Sequence, residues 1–404
     1  MEGVGLARGG RVPVVSGLLP YPPESGGVKR TLRLIEALER AGCIPHLVTT
    51  DDRPDGVAAL RGRGWIVEVV REQTPTFRSR AAQHVRRLPS PYLDAVAERL
   101  VALAASGCPF CQFEHAQNAY YLDRVAGTPT VVSLQNVDSE MLASVARRER
   151  PLTLPWARAW NSARATRTVE RRALPRATAV LCVSADDAAA VAPFAQRVIV
   201  APNGVDDEPF TIDAALPPGE RVLFFGRLDY PPNVYAVERT LDAIWPRVID
   251  RRPDAVLAIA GAGMPEPLKR RAAAAERVDP LGFVPELRVE LERARLILVP
   301  VWEGGGTRLK VLEGLAAARP LAGTSLGVSG IGFEPGRHGL VEDDPRHLAD
   351  AVAALLADRE QSLRLAAEGR RLAERFRWQE VLRPAEELYR ELSARTTVQR
   401  GSPD

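Results

Sequence analysis

Lysine is nearly missing from this chain. Of its 54 basic residues only Lys29, Lys269 and Lys310 are lysines; the others are arginines. A GC-rich coding sequence accounts for the bias, yet two of the three lysines stand beside glycine clusters, Gly26-Gly27 and Gly304 to Gly306. Cysteine is scarce as well, with four residues at 43, 108, 111 and 182 among apolar neighbours. That excludes a disulfide framework and fits a reducing cytoplasm. Cys108-Pro-Phe-Cys111 has the spacing of a redox pair or half a zinc site, but no second pair accompanies it, so buried or free thiols are expected. A net charge of +3 is too small to imply nucleic acid or a membrane by itself. No apolar run approaches the ~18 residues of a membrane span. The stretch ending in "LLPYPP" follows Glu2, Arg8 and Arg11 and does not read as a signal peptide. The expected location is the cytoplasm, with peripheral contact at the inner face of the plasma membrane left open.

What is present is alternation. "VPVVSGLL" reads as a buried strand and "PYPPESGG" as a loop. "VKRTLRLIEALERAG" has apolar residues at 28, 32, 35 and 38, a helical stripe, and "IPHLVTT" is the next strand. Parallel strands need such a crossover. A helix near 92–105 and strands near 130–134 and 179–184 continue the pattern. It then restarts: strands at 221–226, 255–263, 296–301 and 320–324, with a helix over 234–249. The chain is therefore expected to be α/β, two doubly wound parallel-sheet halves in tandem, with "VIVAPNGVDDEPF" as the junction. Ligands in such sheets bind beyond the carboxyl ends of the strands, so a cleft between the halves is expected.

The stretch from Val299 to Pro320, "VPVWEGGGTRLKVLEGLAAARP", carries the chemistry. Three glycines separate a buried strand from a helix start, where backbone N–H groups suit an anion. Thr307, Lys310 and Glu313 recur every three residues and share one face. A cation with helix-start N–H groups neutralises a diphosphate, and a carboxylate one turn on accepts the two hydroxyls of a ribose. No Gly-Lys-Ser/Thr follows, so this is not a Walker loop. A turn with a solvated, charged helix face is the alternative.

Here the sequence resembles the retaining glycosyltransferases of family 4, which have the GT-B fold. "GGGTRLKVLEGLAAARPLAGT" resembles their nucleotide-sugar signature, and "PYPPESGGVKRTLRLIEAL" their N-terminal glycine loop and helix. "FEHAQNAYYL" is similar to the segment bearing their active-site His. "VERRALPRATAVLCVSADD", "APNGVD", "GRLDYPPNVYAVERTL" and "EPGRHGLVEDDPRHLADAV" follow in the family's order. The resemblance implies two Rossmann-like domains, 1–200 for the acceptor and 201–375 for the nucleotide-sugar donor. A helix over 376–393 would cross back to the first domain, before a disordered tail at 394–404. It implies that Gly26 and Gly27 let donor phosphate or acceptor approach, that His115 sits at the reacting sugar, and that Arg227 and Lys310, with Arg308, balance the diphosphate. Glu313 would hold the ribose, Phe283 and Val284 would border the base, and Gly305, Gly306 and Thr307 belong to the donor loop.

Two departures stand out. Where the family often has the first of two glutamates the chain has Gly305, although Glu303 lies nearby. A lysine common after the "GR" arginine is replaced by "LDYPPN". Both features occur in a branch found among bacterial polysaccharide and exported-glycan enzymes, which the chain resembles most.

The implied reaction moves a sugar from a nucleotide-diphosphate donor to a hydroxyl acceptor, retaining configuration. The acceptor would be a glycan, a lipid-linked glycan or a small natural product. Basic groups and helix N-termini stabilise the leaving diphosphate without a metal. No Asp-x-Asp occupies a cleft-facing loop, and "ADD" at 185–187 and "EDD" at 342–344 read as helix-capping acids. No metal and no cofactor are expected. From its surroundings alone His115 reads as a structural residue paired with Glu114; the resemblance makes it the active-site group, with Glu114 a rival or an orienting neighbour. Residues 147–176 hold nine arginines, two glutamates, Trp156 and Trp160. They read either as a solvated helix with its tryptophans inward or as a surface for an anionic membrane or lipid-diphosphate acceptor. No nucleic-acid motif accompanies them. In the last helix Trp378, Val381, Leu382, Leu388 and Leu392 would dock on the first domain, with Pro384 interrupting. Rival functions are a non-catalytic nucleotide-sugar-binding partner protein, a nucleotide-sugar epimerase, and a dinucleotide oxidoreductase, which lacks its Gly-x-Gly-x-x-Gly here.

Overall fold

A computed structural model of the chain describes residues 10–23, 25–71, 94–135, 137, 139, 143, 146–147, 151, 153–303 and 309–400. The chain forms two compact units: Met1–Pro202 together with Leu382–Asp404, and Asn203–Val381.

The first unit contains β1 (Arg11–Ser16), α1 (Gly26–Arg40), β2 (Ile44–Thr49), α2 (Pro54–Gly62), β3 (Ile66–Val69), α3 (Asp94–Ala105), β4 (Cys111–Glu114), a 3-10 run (Ala116–Val125), β5 (Thr130–Ser133), α4 (Leu154–Ala173), β6 (Ala179–Cys182), α5 (Ala185–Val191) and β7 (Val198–Val200). The seven strands lie in the order β3-β2-β1-β4-β5-β6-β7, all neighbours parallel. β1, β4, β5 and β6 are buried almost throughout, as strands covered on both faces must be. α1 starts at Ser25, whose hydroxyl accepts from the Val28 N–H, and buries Leu32, Leu34, Ile35 and Leu38. β3, β4 and β7 were not expected as strands; each is three or four residues long, too short for a periodic signal.

The second unit contains β8 (Arg221–Phe225), α6 (Pro231–Arg239), a π-helical turn (Thr240–Ile244), α7 (Trp245–Arg251), β9 (Val256–Ala260), α8 (Glu266–Ala274), β10 (Val278–Gly282), α9 (Leu287–Arg293), β11 (Leu296–Val299), α10 (Leu309–Ala316), β12 (Leu321–Gly323), β13 (Leu340–Val341), α11 (Pro345–Ala357), α12 (Arg359–Glu374) and α13 (Trp378–Val381). The order is β10-β9-β8-β11-β12-β13, again parallel. Successive residues of β8 enter opposite cores: Val222 and Phe224 join Trp245, Ile259 and Leu348, while Leu223 and Phe225 join Ile297, Leu312 and Leu315. The helix expected over 234–249 starts earlier, at Pro231, and is broken by the π turn. Pro246, which has no N–H to donate, follows directly.

The last helix, α14 (Arg383–Arg400), belongs to the first unit. Ala385, Leu388, Tyr389 and Leu392 are buried, and Tyr389 stacks on Phe110 with centroids 5.6 Å apart. Arg40 donates to Glu386 at 2.6 Å and Arg197 to Glu391 at 2.8 Å. Trp378 and Val381, expected to dock on the first domain, belong instead to the second unit. Val205 pairs with Arg377 in an isolated bridge, and Trp378 N–H donates to the Val205 carbonyl at 3.3 Å. The helical break falls at Leu382, just ahead of Pro384. α14 also runs to Arg400 rather than ending at Ser393; an Arg395–Glu391 pair one turn apart supports that extension. The four cysteines are buried thiols, with the Cys108 and Cys111 sulfurs 3.6 Å apart. Burial pushes the Cys43 and Cys182 thiols up, Cys182 to about 12, so neither is a ready nucleophile.

Candidate functional site

In each sheet the strand order reverses at one point, between β1 and β4 in the first unit and between β8 and β11 in the second. The loops leaving such neighbours diverge and leave a crevice at the carboxyl ends. Gly26, Gly27, Glu114 and His115 fall at the first of these points and Arg227 and Lys310 near the second, each considered within its own unit.

In the first unit β1 leads to Gly26 and Gly27 at the start of α1, β4 ends on Glu114, and His115 follows. His115 has φ 67°, a left-handed backbone that costs a non-glycine residue about 1–3 kcal/mol. Its N–H donates to the Ser133 carbonyl at 2.8 Å and its carbonyl accepts from the Asn118 N–H at 3.1 Å. His115 lines a cavity of about 230 Å³ with Ser16, Thr49, Asn118, Tyr120 and Tyr121. Glu114 is not part of that lining. It is fully buried, and its two oxygens accept from Gln112 at 2.6 Å and Thr31 at 3.2 Å. Burial pushes its carboxyl above the ordinary range, opposed by the Gln112 hydrogen bond and the charge of Arg30. Arg30 is equally buried and donates to the Ala201 carbonyl at 2.7 Å.

Gln135, which the sequence did not single out, ties this edge together. Its Nε2 donates to the Gly27 carbonyl at 2.9 Å and lies 3.3 Å from His115 Nε2. An amide nitrogen only donates, so the ring nitrogen accepts and the imidazole carries its proton on Nδ1. Gly27 makes the arrangement possible, because a Cβ there would lie 2.2 Å from Gln135 Oε1. A polar residue two positions beyond the end of β5 was the available signal.

Burial, with a smaller contribution from Arg30, pushes the His115 pKa down from 6.5 to about 4. The ring is neutral at neutral pH. Between those two values the unfolded chain binds the proton more readily, so the associated stability is lost as pH falls through that window. The expected pH–kcat/KM profile has no inflection from His115 near 6.5; its acid limb lies near pH 4. Replacement by Asn should remove that part of the acid-side loss of stability in pH-dependent unfolding.

In the second unit Lys310 is the second residue of α10. Its Nζ donates to Asn233 Oδ1 at 2.8 Å and lies 4.7 Å from the Phe224 ring centroid. Asn233, buried on α6, in turn donates to the Arg227 carbonyl at 2.7 Å. Gly226 has φ 150°, and a Cβ there would approach Asn233 Nδ2 to 3.0 Å and Lys310 Nζ to 3.1 Å. Asn233, the last residue of the "LDYPPN" segment, thus links Lys310 at the start of α10 to the turn that follows β8. The Arg227 side chain is exposed and pairs with Asp229. Glu313 lies one turn beyond Lys310 and is half-buried. Phe283 is 65% exposed beyond β10, which β9 and β8 separate from β11, whereas Val284 packs on the core with Leu281 and Leu287. Gly305, Gly306, Thr307 and Arg308 lie outside the described residues. Trp302, just ahead of them, donates to the Asp343 carbonyl at 2.8 Å and carries Arg239 4.4 Å over its ring.

Of the two acidic runs expected to cap helices, Asp344 caps α11, accepting from the Arg346 and His347 N–H groups, whereas α5 is capped by Ser184, with Asp186 and Asp187 inside its first turn. Among the described residues no group of three or more His, Cys, Asp or Glu is placed to hold a metal ion. Also among them, no helix is long and apolar enough to cross a membrane.

Comparison with known proteins agrees with this architecture. D-inositol 3-phosphate glycosyltransferase of Corynebacterium urealyticum is 26% identical over 222 residues, 48% of this chain and 51% of the relative. The match therefore spans about half the length of that curated relative. Sucrose-phosphate synthase from Thermosynechococcus elongatus superposes with TM-score 0.69 at 19% identity, over 95% of this chain and 99% of the other. Anabaena HepE in complex with UDP-glucose superposes with TM-score 0.63 at 14% identity, over 96% and 99%. At such identities the likeness concerns the fold. The family model "Glycosyltransferase Family 4" matches residues 25–209 and "Glycosyl transferases group 1" matches 219–358. With one model on each parallel-sheet unit, the chain belongs to the family 4, group 1 glycosyltransferases.

Proposed function

We propose that the chain transfers a sugar from a nucleotide-diphosphate donor to a hydroxyl acceptor, with retention of configuration and without a metal ion, in bacterial glycan or glycosylated-metabolite assembly. The observation that carries the reading is Lys310, held by Asn233 over Phe224 at the start of α10, with Glu313 one turn further on. Lys310 supplies charge to the diphosphate, and Arg227 and Arg308 add to it. Glu313 accepts from the ribose hydroxyls, and Phe283 borders the base. As the anomeric carbon becomes cation-like, the leaving diphosphate gathers negative charge that these groups stabilise. His115, neutral and oriented by Gln135, serves the acceptor side from the wall of the first unit's cavity. Retention rests on family membership, and same-face attack is the route it favours.

The test is a melting series with UDP, GDP, dTDP and ADP, followed by turnover of the matching sugar donors in EDTA. One nucleotide at about 100 times its Kd should stabilise by about 2.7 kcal/mol, a shift of about 2–4 °C. Donor consumption should survive the chelator. A shift without transfer or hydrolysis would favour a non-catalytic nucleotide-sugar-binding partner, and loss of turnover in EDTA would remove metal independence.

A further inference from the structure

α4 carries a stripe that the transfer reaction does not use. Trp156, Trp160, Arg164, Arg167 and Arg171 recur at helical intervals of three and four and so share one face. The two indoles stack, with centroids 6.0 Å apart and planes 9° from parallel. Trp160 is 43% exposed and Leu154, at the helix start, 63%. All five arginines of α4 (158, 164, 167, 171 and 172) are exposed. The one acid of the helix, Glu170, is buried and accepts from the Ser139 N–H at 3.1 Å. The exposed side of α4 thus bears positive charge alone, with apolar and aromatic groups gathered at its N-terminal end. Of the two readings open from the sequence, a solvated helix with its tryptophans inward does not describe Trp160, which is exposed.

We infer that this face of α4 docks on the surface of an anionic phospholipid bilayer. Indole rings favour the headgroup boundary, where an apolar body and one N–H donor are both accommodated, and guanidinium groups pair with lipid phosphates. A helix that presents aromatic and basic residues together lies in the plane of such an interface. A nucleic acid would be served by the arginines but would leave exposed Leu154 without a purpose.

The full chain should co-sediment with vesicles of phosphatidylcholine mixed with phosphatidylglycerol, and not with phosphatidylcholine alone, and binding should weaken as salt rises. Each arginine near the surface is worth roughly fivefold in affinity. The triple variant Arg164→Gln, Arg167→Gln, Arg171→Gln should therefore bind about a hundredfold more weakly. Trp160→Ser should weaken binding while preserving the salt dependence. The three arginines are exposed, so the melting temperature of the triple variant should be unchanged. Absence of binding to the anionic vesicles by the unaltered protein would overturn the proposal, as would undiminished binding by the triple variant. Binding of a labelled single strand of DNA through these arginines, with vesicles ignored, would overturn it in favour of nucleic acid.

Discussion

Lys310→Ala should weaken binding of the nucleotide diphosphate by roughly 10- to 150-fold, the equivalent of about 1.5–3 kcal/mol for a hydrogen bond to a charged group. In calorimetric titration the loss should appear with the bare diphosphate as well as with the sugar donor, because the partner of Lys310 is phosphate. The fold should tolerate the change. Lys310 is half-buried, and the groups it leaves, Asn233 Oδ1 and the Phe224 ring, belong to a helix and strand anchored by Val222, Ala236 and Val237 in the core. A melting change of no more than about 2 °C is expected. Glu313→Ala should weaken nucleotides with an intact ribose diol and leave binding of inorganic pyrophosphate unchanged. If Lys310→Ala binds the diphosphate normally, the helix start of α10 is a solvated turn, the alternative weighed from sequence.

Gly27→Ala should separate activity from stability. Alanine is favoured over glycine within a helix by about 0.5–1 kcal/mol, so α1 itself should gain. The added Cβ, however, would stand 2.2 Å from Gln135 Oε1, and the end of that flexible side chain is what must move. Displacing it frees His115 Nε2 from its neighbour and the Gly27 carbonyl from its donor. A misplacement of about 1 Å in a positioning group is worth on the order of a hundredfold in rate. Turnover should fall by that order, with the melting temperature unchanged or raised. Because both changes act through one contact, Gln135→Ala added to Gly27→Ala should cost little more than either alone. Additive losses would mean that Gln135 and Gly27 act separately.

The architecture was readable where hydrophobic runs were long. β1, β2, β8, β9 and β11 are apolar enough to mark themselves, and the stripe of α1 gave its helix. β10 and β13 escaped notice because the first contains Asp279 and Pro280 on an edge strand and the second is two residues long. The candidate site was legible as residue types and not as contacts. Lys310 and Glu313 share a helix face, which spacing alone states. Gln135 and Asn233 lie 108 and 77 residues from the groups they hold, Gly27 and Lys310, and no local pattern announces such pairs. The left-handed backbone of His115 is likewise invisible in a string of letters. Trp378 was misassigned because a helix crossing between units looks continuous in sequence, whereas the Val205–Arg377 bridge keeps its first turn with the second unit.

The central claim is that the second unit takes a nucleotide-diphosphate sugar at the start of α10. A crystal structure of the full chain with the donor selected by the melting series tests it most directly. The account predicts the diphosphate within hydrogen-bond reach of Lys310 Nζ and the ribose hydroxyls on the Glu313 carboxylate. A donor seated in the His115 cavity of the first unit, or anywhere else away from Lys310, would contradict it.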